Sequence, residues 1–336
     1  MDGYLRPEAR EWTCAPASGD ARAFHRGLPG YAPTPLIELP GQVFVKDESQ
    51  RFGLGAFKML GASWATFRLL SRHVGGAADM SDLKARLAGG PRLVTATDGN
   101  HGRAVARMAA MLGLDAEVYL PAEVAPEAAA RIEAEGATLK VVDGTYDEAV
   151  RMAAAADGLL VQDTAWPGYE EIPGWIVDGY ATLFAELDEQ LDGEPATVVV
   201  PMGVGSLAQA AVTHYRGRGS RVSLLGVEPL SAACVLASLR RRELGAIETG
   251  ATMMDGLNCG TPSSLAWPYL RGGLDAAVAV GEDECARAMV DLAAQGVNAG
   301  PCGAAALAGL RAVEEQEGPV VLLNTEGLSR PLPLRP

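Results

Sequence analysis

The sequence predicts an α/β protein with two domains, each a mainly parallel twisted sheet flanked by helices. Three observations carry this expectation: short β-rich runs read as buried strands, Ala-rich amphipathic stretches alternate with them, and the alternation falls into two blocks. The segment VFVK (43–46) is strand-like and could join either block. In the first block RLVTAT (92–97), AEVYL (116–120), TLKVV (138–142) and GLLVQ (158–162) read as strands. Helix-like GRAVARMAAML (102–112), PEAAARIEAEG (126–136) and YDEAVRMAAAA (146–156) separate them. In the second block ATVVVPM (196–202), VSLLGVEP (222–229), AAVAVGE (276–282) and PVVLLN (319–324) read as strands. They alternate with helix-like LAQAAVTHYR (207–216), SAACVLASLR (231–240), ECARAMVDLAAQ (284–295) and GAAALAGLRAV (303–313). No internal repeat or low-complexity linker interrupts the order, and GGAAD and GGPR mark candidate hinges.

Composition excludes several classes. The 336 residues are enough for one large or two medium cores, and the net charge of −14 with no basic run disfavours nucleic acid or an anionic membrane as partner. No stretch approaches the roughly 18 apolar residues a membrane span needs. The start MDGYLRPEAREW lacks the charged and apolar regions of a signal peptide, so a cytoplasmic protein is expected. Five cysteines (Cys14, Cys234, Cys259, Cys285, Cys302) form no CxxC, and with four scattered histidines they give no metal-ligand cluster.

Only four residues are lysines, and Lys58 lies in KDESQRFGLGAFKMLGAS, past a glycine-rich turn and within an apolar helix start. A lysine in mostly apolar surroundings can form an imine with an aldehyde, and the aldehyde cofactor of amino-acid chemistry is pyridoxal phosphate. Taken alone, the segment reads as a snorkelling helix lysine. Lys46 ends VFVK, Lys84 lies in polar SDLKARL, and Lys140 sits in TLKVVD, placed for a sheet edge or solvent. A phosphate cradle is offered by Gly203, Val204, Gly205, Ser206 and Leu207, which follow a strand and open a helix, although two glycines also suit tight packing alone. Thr97, Asp98, Gly99, Asn100 and His101 likewise end a strand and begin a helix. Free N–H groups there can hold a substrate carboxylate and the Asn100 amide can reach a ring oxygen, while Asp98 or Asn100 could equally serve as N-cap.

Together these segments resemble the fold-type II pyridoxal-phosphate enzymes, the family of threonine dehydratase, cysteine synthase and the tryptophan synthase β chain, and within it the diaminopropionate ammonia-lyases. The resemblance runs almost end to end, through FHRGLPGYAPTPLIELP, KDESQRFGLGAFKMLGAS, ATDGNHGRAVA, QDTAWPGYEEIPGWIVDGY, PMGVGSLAQA, GVEP, MMDGLNCGTPSSLAWPYL and LLNTEG in order. It implies a Schiff-base Lys58, a ring-oxygen contact from Asn100, a phosphate loop from Gly203 to Leu207, and Thr325 facing the pyridine nitrogen. It also places Asp163 near the substrate and implies a homodimer. The expected domains are 1–58 with 164–336, holding the cofactor, and an inserted 59–163 that closes over the substrate.

The dehydratases usually carry Ser before GNHG, where this chain has Asp98. An acidic pocket would attract and orient the β-ammonium of 2,3-diaminopropionate, which must leave as ammonia. The resemblance thus implies elimination giving pyruvate and ammonia, with Lys58 serving the L isomer and Asp98 the D isomer. Three departures stand out: Gly55 where Asn is expected, Pro301–Cys302 where Glu and Ser are commoner, and a shorter chain. They keep open a biosynthetic homologue that eliminates or replaces another β-substituent. A non-catalytic protein of the same fold is the remaining alternative. Cys234 and Cys259 both lie in matching stretches, so a disulfide is conceivable, though a reducing cytosol favours free thiols. Trp166, Tyr169 and Trp175 read as loop packing, with the lining of a substrate mouth as the alternative, and Glu326 as a ring contact or a cap of the turn that follows it.

Overall fold

The computed structural model describes residues 3–97, 99–313, 318–329 and 332. The chain divides into two compact units, one of Met1–Gly19, Ala32–Phe57 and Tyr180–Pro336, the other of Asp20–Tyr31 and Lys58–Gly179. The second unit thus takes in Lys58 itself and runs past 163.

The first unit is built on seven strands in the order Tyr4–Leu5, Ala276–Val280, Ser223–Pro229, Thr197–Pro201, Val320–Asn324, Val43–Asp47, Leu36–Leu39. The five inner strands are mutually parallel and the two edge strands antiparallel, so VFVK belongs to this sheet, beside Val320–Asn324. Inner strands have helices on their faces and read as continuous apolar runs, as Thr197–Pro201 and Val320–Asn324 do, every residue being buried. Their inward residues pack under the helices Glu282–Ala294 and Pro301–Arg311 in one core that includes Val45, Val199, Val227, Val278 and Leu322. Parallel neighbours Thr197–Pro201 and Val320–Asn324 bring the turn 202–205 and Thr325 to the same carboxyl edge, where open α/β sheets bind ligands.

The second unit holds four parallel strands in the order Thr138–Val142, Ala116–Pro121, Leu93–Ala96, Leu159–Leu160. A small core of Val94, Ala96, Tyr119, Val142, Ala149 and Ala153 lies under the helix Tyr146–Ala155. Thr145 caps that helix through a reciprocal bond with Glu148. The helix Lys58–His73 is buried from Met59 to Phe67 and approaches the helix Glu171–Leu191 closely: a Cβ on Gly179 would come within 2.4 Å of the Leu60 carbonyl oxygen. Glycine is required there for backbone contact. His25 Nε2 lies 2.9 Å from the same carbonyl, which fixes the short segment Asp20–Arg26 onto that helix.

Candidate active site

In the second unit the carboxyl ends of Leu93–Ala96 and Leu159–Leu160 carry the Thr97–His101 turn and the segment that leads to Asp163. Thr97 is buried and its Oγ1 accepts from the N–H groups of Gly99 (2.9 Å) and Gly102 (3.1 Å), so this hydroxyl braces the turn. Gly102 must be glycine, since a Cβ would meet Thr97 Cγ2 at 2.3 Å. Asn100 opens the helix Asn100–Leu112 and His101 is its second residue. Asp98 lies outside the described residues.

Val161 N–H still donates to the Val94 carbonyl of the neighbouring strand at 2.8 Å, and beyond that bond the segment to Asp163 is held by side chains. His101 Nε2 lies 2.8 Å from the Val161 carbonyl oxygen. Tyr169 Oη donates to the Leu160 carbonyl and accepts from the Gln162 N–H, both at 2.9 Å. Gln162 Oε1 accepts from Ala96 N (2.9 Å) and Thr95 Oγ1 (3.1 Å), and its Nε2 donates to Tyr146 Oη at 2.9 Å. Tyr169 stacks on Trp166 with ring centroids 4.4 Å apart, folding the loop back on itself. Sequence alone reads Tyr169 as loop packing or as lining of a substrate mouth; its hydroxyl contacts could not be read from spacing.

This scaffold aims Asp163 at Lys58, with Oδ2 2.7 Å from Nζ. Lys58 is partly open, its side chain 27% exposed, whereas Asp163 is 12% and His101 3% exposed. Burial raises the Asp163 carboxyl, but the His101 ring, the Lys58 charge and the Lys58 hydrogen bond outweigh it and hold the group at about 2. His101 is pushed below the ordinary imidazole range by burial first, with Asp163 opposing and Lys58 assisting. The centre is therefore an ionised carboxylate against an amine, beside a neutral ring.

In the first unit, Gly203 and Gly205 are needed for packing: a Cβ would come 3.0 Å from Cys259 Sγ at the former and 2.5 Å from Leu270 Cδ1 at the latter, where φ is +95°. The packing reading of these glycines therefore holds. It leaves the turn's other property intact, because the helix Ser206–Arg216 begins there and its first N–H groups have no intrahelical acceptor. Thr325 is buried, and its Oγ1 has no hydrogen-bond partner among the described residues. A buried orphan hydroxyl is costly unless something completes it, and a heteroaromatic nitrogen is such a group. The Thr325 carbonyl accepts from Phe57 N (3.1 Å), the residue before Lys58, and Gly327 N donates to the Gly55 carbonyl (2.9 Å). Gly55 has φ +82°, the left-handed region that glycine enters freely and asparagine tolerates, so the Asn-to-Gly departure preserves the turn. Glu326 Oε1 accepts from Cys302 N at 3.3 Å at the start of the helix Pro301–Arg311. All five cysteines are free thiols.

Residues 28–326 match the family described as Pyridoxal-phosphate dependent enzyme. The chain is 38% identical over 293 residues to a diaminopropionate ammonia-lyase of Salmonella typhimurium, covering 78% of this chain and 72% of the relative. It is 32% identical over 242 residues to a biosynthetic L-threonine dehydratase of Mycobacterium leprae, covering 70% of this chain and 56% of that protein. Among solved structures it superposes with a TM-score of 0.88 on diaminopropionate ammonia lyase from Escherichia coli in complex with an aminoacrylate-PLP azomethine reaction intermediate. That match is 32% identical and covers 97% of this chain and 93% of the other.

Proposed function

This chain belongs to the pyridoxal-phosphate dependent enzymes, and from that premise we propose that it eliminates ammonia from 2,3-diaminopropionate: with one water, the substrate gives pyruvate and two molecules of ammonia. The observation that carries the reading is the Lys58–Asp163 pair, an amine held 2.7 Å from an ionised carboxylate in a chain similar to that lyase over most of its length. When bound, pyridoxal phosphate links to an amine through its aldehyde carbon and withdraws the electron pair left at Cα on proton removal.

Lys58 is proposed to hold the cofactor covalently, the N–H groups of Gly203 to Leu207 its phosphate, Asn100 its ring oxygen and Thr325 its ring nitrogen. A hydroxyl partner at that nitrogen tempers the electron sink, which suits elimination. With the cofactor carrying the substrate, Lys58 Nζ would take the Cα proton of the L isomer, and Asp163 would stabilise the ammonium that results. Asp98, outside the described residues, is proposed as the base for the D isomer. Thr97 braces the turn through the Gly99 and Gly102 N–H groups, and the turn Thr97 to His101 is proposed to receive the substrate carboxylate. The reading extends to a cytoplasmic homodimer, by analogy with fold-type II enzymes and in keeping with the free thiols.

The test is to mix cofactor-loaded protein with L- and then D-2,3-diaminopropionate, with serine and threonine as controls, and to measure 2-oxo acid and ammonia. Pyruvate with two equivalents of ammonia from diaminopropionate is expected. Release from threonine or serine alone would move the protein to the dehydratases. A spectral change without release would indicate that a second substrate is required.

A further inference from the structure

His101 presents an acceptor with nothing to accept. Its Nε2 sits 2.8 Å from the Val161 carbonyl oxygen, and a carbonyl can only accept, so Nε2 carries the ring proton and Nδ1 of the neutral imidazole carries a lone pair. Burial and the positive end of the helix Asn100–Leu112 both oppose a second proton. Nδ1 is buried without a hydrogen-bond partner among the described residues, and the charged atom facing it is Asp163 Oδ2 at 3.8 Å, beyond hydrogen-bond reach. That oxygen is also an acceptor, since Asp163 is ionised. Two buried acceptors that face one another are stabilised by a donor with at least two hydrogens placed between them.

We propose that Nδ1 of His101 and Oδ2 of Asp163 together receive the β-ammonium group of the substrate, which makes His101 a specificity-determining residue for amino over uncharged leaving groups. The inference rests on the elimination reading above and assigns its leaving-group subsite. When Lys58 gives up its charge to serve as a base, Asp163 is left ionised, and an arriving ammonium replaces that charge while its second hydrogen satisfies Nδ1. A hydroxyl has a single hydrogen and can satisfy only one of the two acceptors. In the reaction the Cα–H electron pair becomes the Cα=Cβ bond, and the Cβ–N bond breaks with its pair going to nitrogen. The nitrogen already bears three protons, so neutral ammonia departs with no further proton transfer.

Two substitutions separate this role from that of a structural anchor. His101→Gln retains an N–H able to donate to Val161 and removes the acceptor at Nδ1. His101→Asn keeps an acceptor at that place and removes the donor to Val161. In the cofactor-loaded enzyme, kcat/KM is measured for L-2,3-diaminopropionate and for 3-chloroalanine, whose leaving group brings no proton. For His101→Gln we expect a drop of roughly 10- to 100-fold on diaminopropionate, the scale of one charge-assisted hydrogen bond, with 3-chloroalanine affected by less than about threefold. His101→Asn should retain the preference of the unaltered protein. Equal losses on both substrates in His101→Gln, or a larger loss of preference in His101→Asn, would overturn the assignment. Should the unaltered protein release nothing from diaminopropionate, the elimination reading fails instead, and the two failures are distinct.

Discussion

Two lysine–carboxylate pairs of nearly equal length stand in different units, Lys46–Glu186 at 2.8 Å and Lys58–Asp163 at 2.7 Å. The first is saturated. Lys46 also donates to the Thr34 carbonyl and to Gln190 Oε1, three bonds for three hydrogens, and Glu186 accepts from Arg51 through both oxygens. Arg51 completes its fork on Glu48, Thr34 Oγ1 and the Ala32 carbonyl, and all four charged side chains are at most 1% exposed. The second pair is partly open and faces an orphan acceptor on His101. Burial lowers the Lys46 pKa, with Glu48 and Glu186 opposing, so a depressed lysine by itself does not mark a reactive one. What distinguishes the two pairs is the unfinished hydrogen bonding beside the second, at Nδ1 of His101, although buried polar atoms without a partner among the described residues also occur elsewhere, as at Trp64 Nε1 and Ser264 Oγ.

Exchanging the roles of the two lysines would break this comparison most directly. Lys58→Ala should lower elimination by on the order of 10³-fold or more, the range of a lost base and nucleophile, with the thermal transition little changed. Intact-mass analysis after borohydride reduction should then show no cofactor adduct; a retained adduct would mean that another lysine carries it. Glu186→Gln should do the reverse and cost about 3–5 kcal/mol of stability, because it leaves Lys46 and Arg51 buried with half their counter-charge, while turnover per folded molecule at low temperature is unchanged. Full stability in denaturant titrations of that variant would show that the network is dispensable.

A smaller effect tests the frame that aims Asp163. Tyr169→Phe removes the hydroxyl shared by the Leu160 carbonyl and the Gln162 N–H, a loss of about 1–3 kcal/mol if both groups stay unsatisfied. If the frame positions Asp163, kcat should fall by roughly tenfold with KM nearly unchanged, since about 1.4 kcal/mol in the barrier is one decade. A loss of stability with unaltered kcat would leave Tyr169 as packing only.

The strand order along the chain and the two turns at strand ends were legible because parallel strands buried on both faces are written as apolar runs and their turns as glycine clusters. Failures came where distant side chains override local pattern. GLLVQ reads as a five-residue strand, yet pairing ends once Val161 N–H has donated to the Val94 carbonyl, because His101 takes the Val161 carbonyl and Gln162 Oε1 takes the Ala96 N–H. SAACVLASLR reads as one helix, yet the helix begins at Cys234, where buried Glu228 accepts from the N–H groups of Val235 and Leu236 at 2.8 and 2.7 Å. The burial of Lys46 was invisible because Glu186 and Gln190 are some 140 residues away in sequence. Scarcity and context made Lys58 a candidate but, taken alone, left it a snorkelling lysine; the resemblance is what favoured it, and Asp163 entered through the resemblance as well.

The smallest expected effect lies in the acid limb of stability, where the two regions should separate by pH. Glu186 is held at about 2, burial raising it and the bonds and charges of Arg51 and Lys46 outweighing burial; Asp163 is held at about 2 as well. Both carboxylates have folded values below their unfolded ones, so their contributions are present above about pH 4 and are lost as pH falls toward about 2. His101 is also depressed, but from an unfolded value near 6.5. The unfolded imidazole takes up a proton that the folded one refuses, so its contribution is present above about pH 6.5 and declines below it. Urea midpoints measured from pH 8 to pH 3 should therefore show a shallow loss beginning near 6.5 and a steeper one below about 4. His101→Gln should flatten the first and, because the ring also helps hold Asp163 down, weaken part of the second. If the variant keeps the full slope between pH 7 and pH 5, His101 is not held neutral, and the lone pair assigned to Nδ1 would be lost with it.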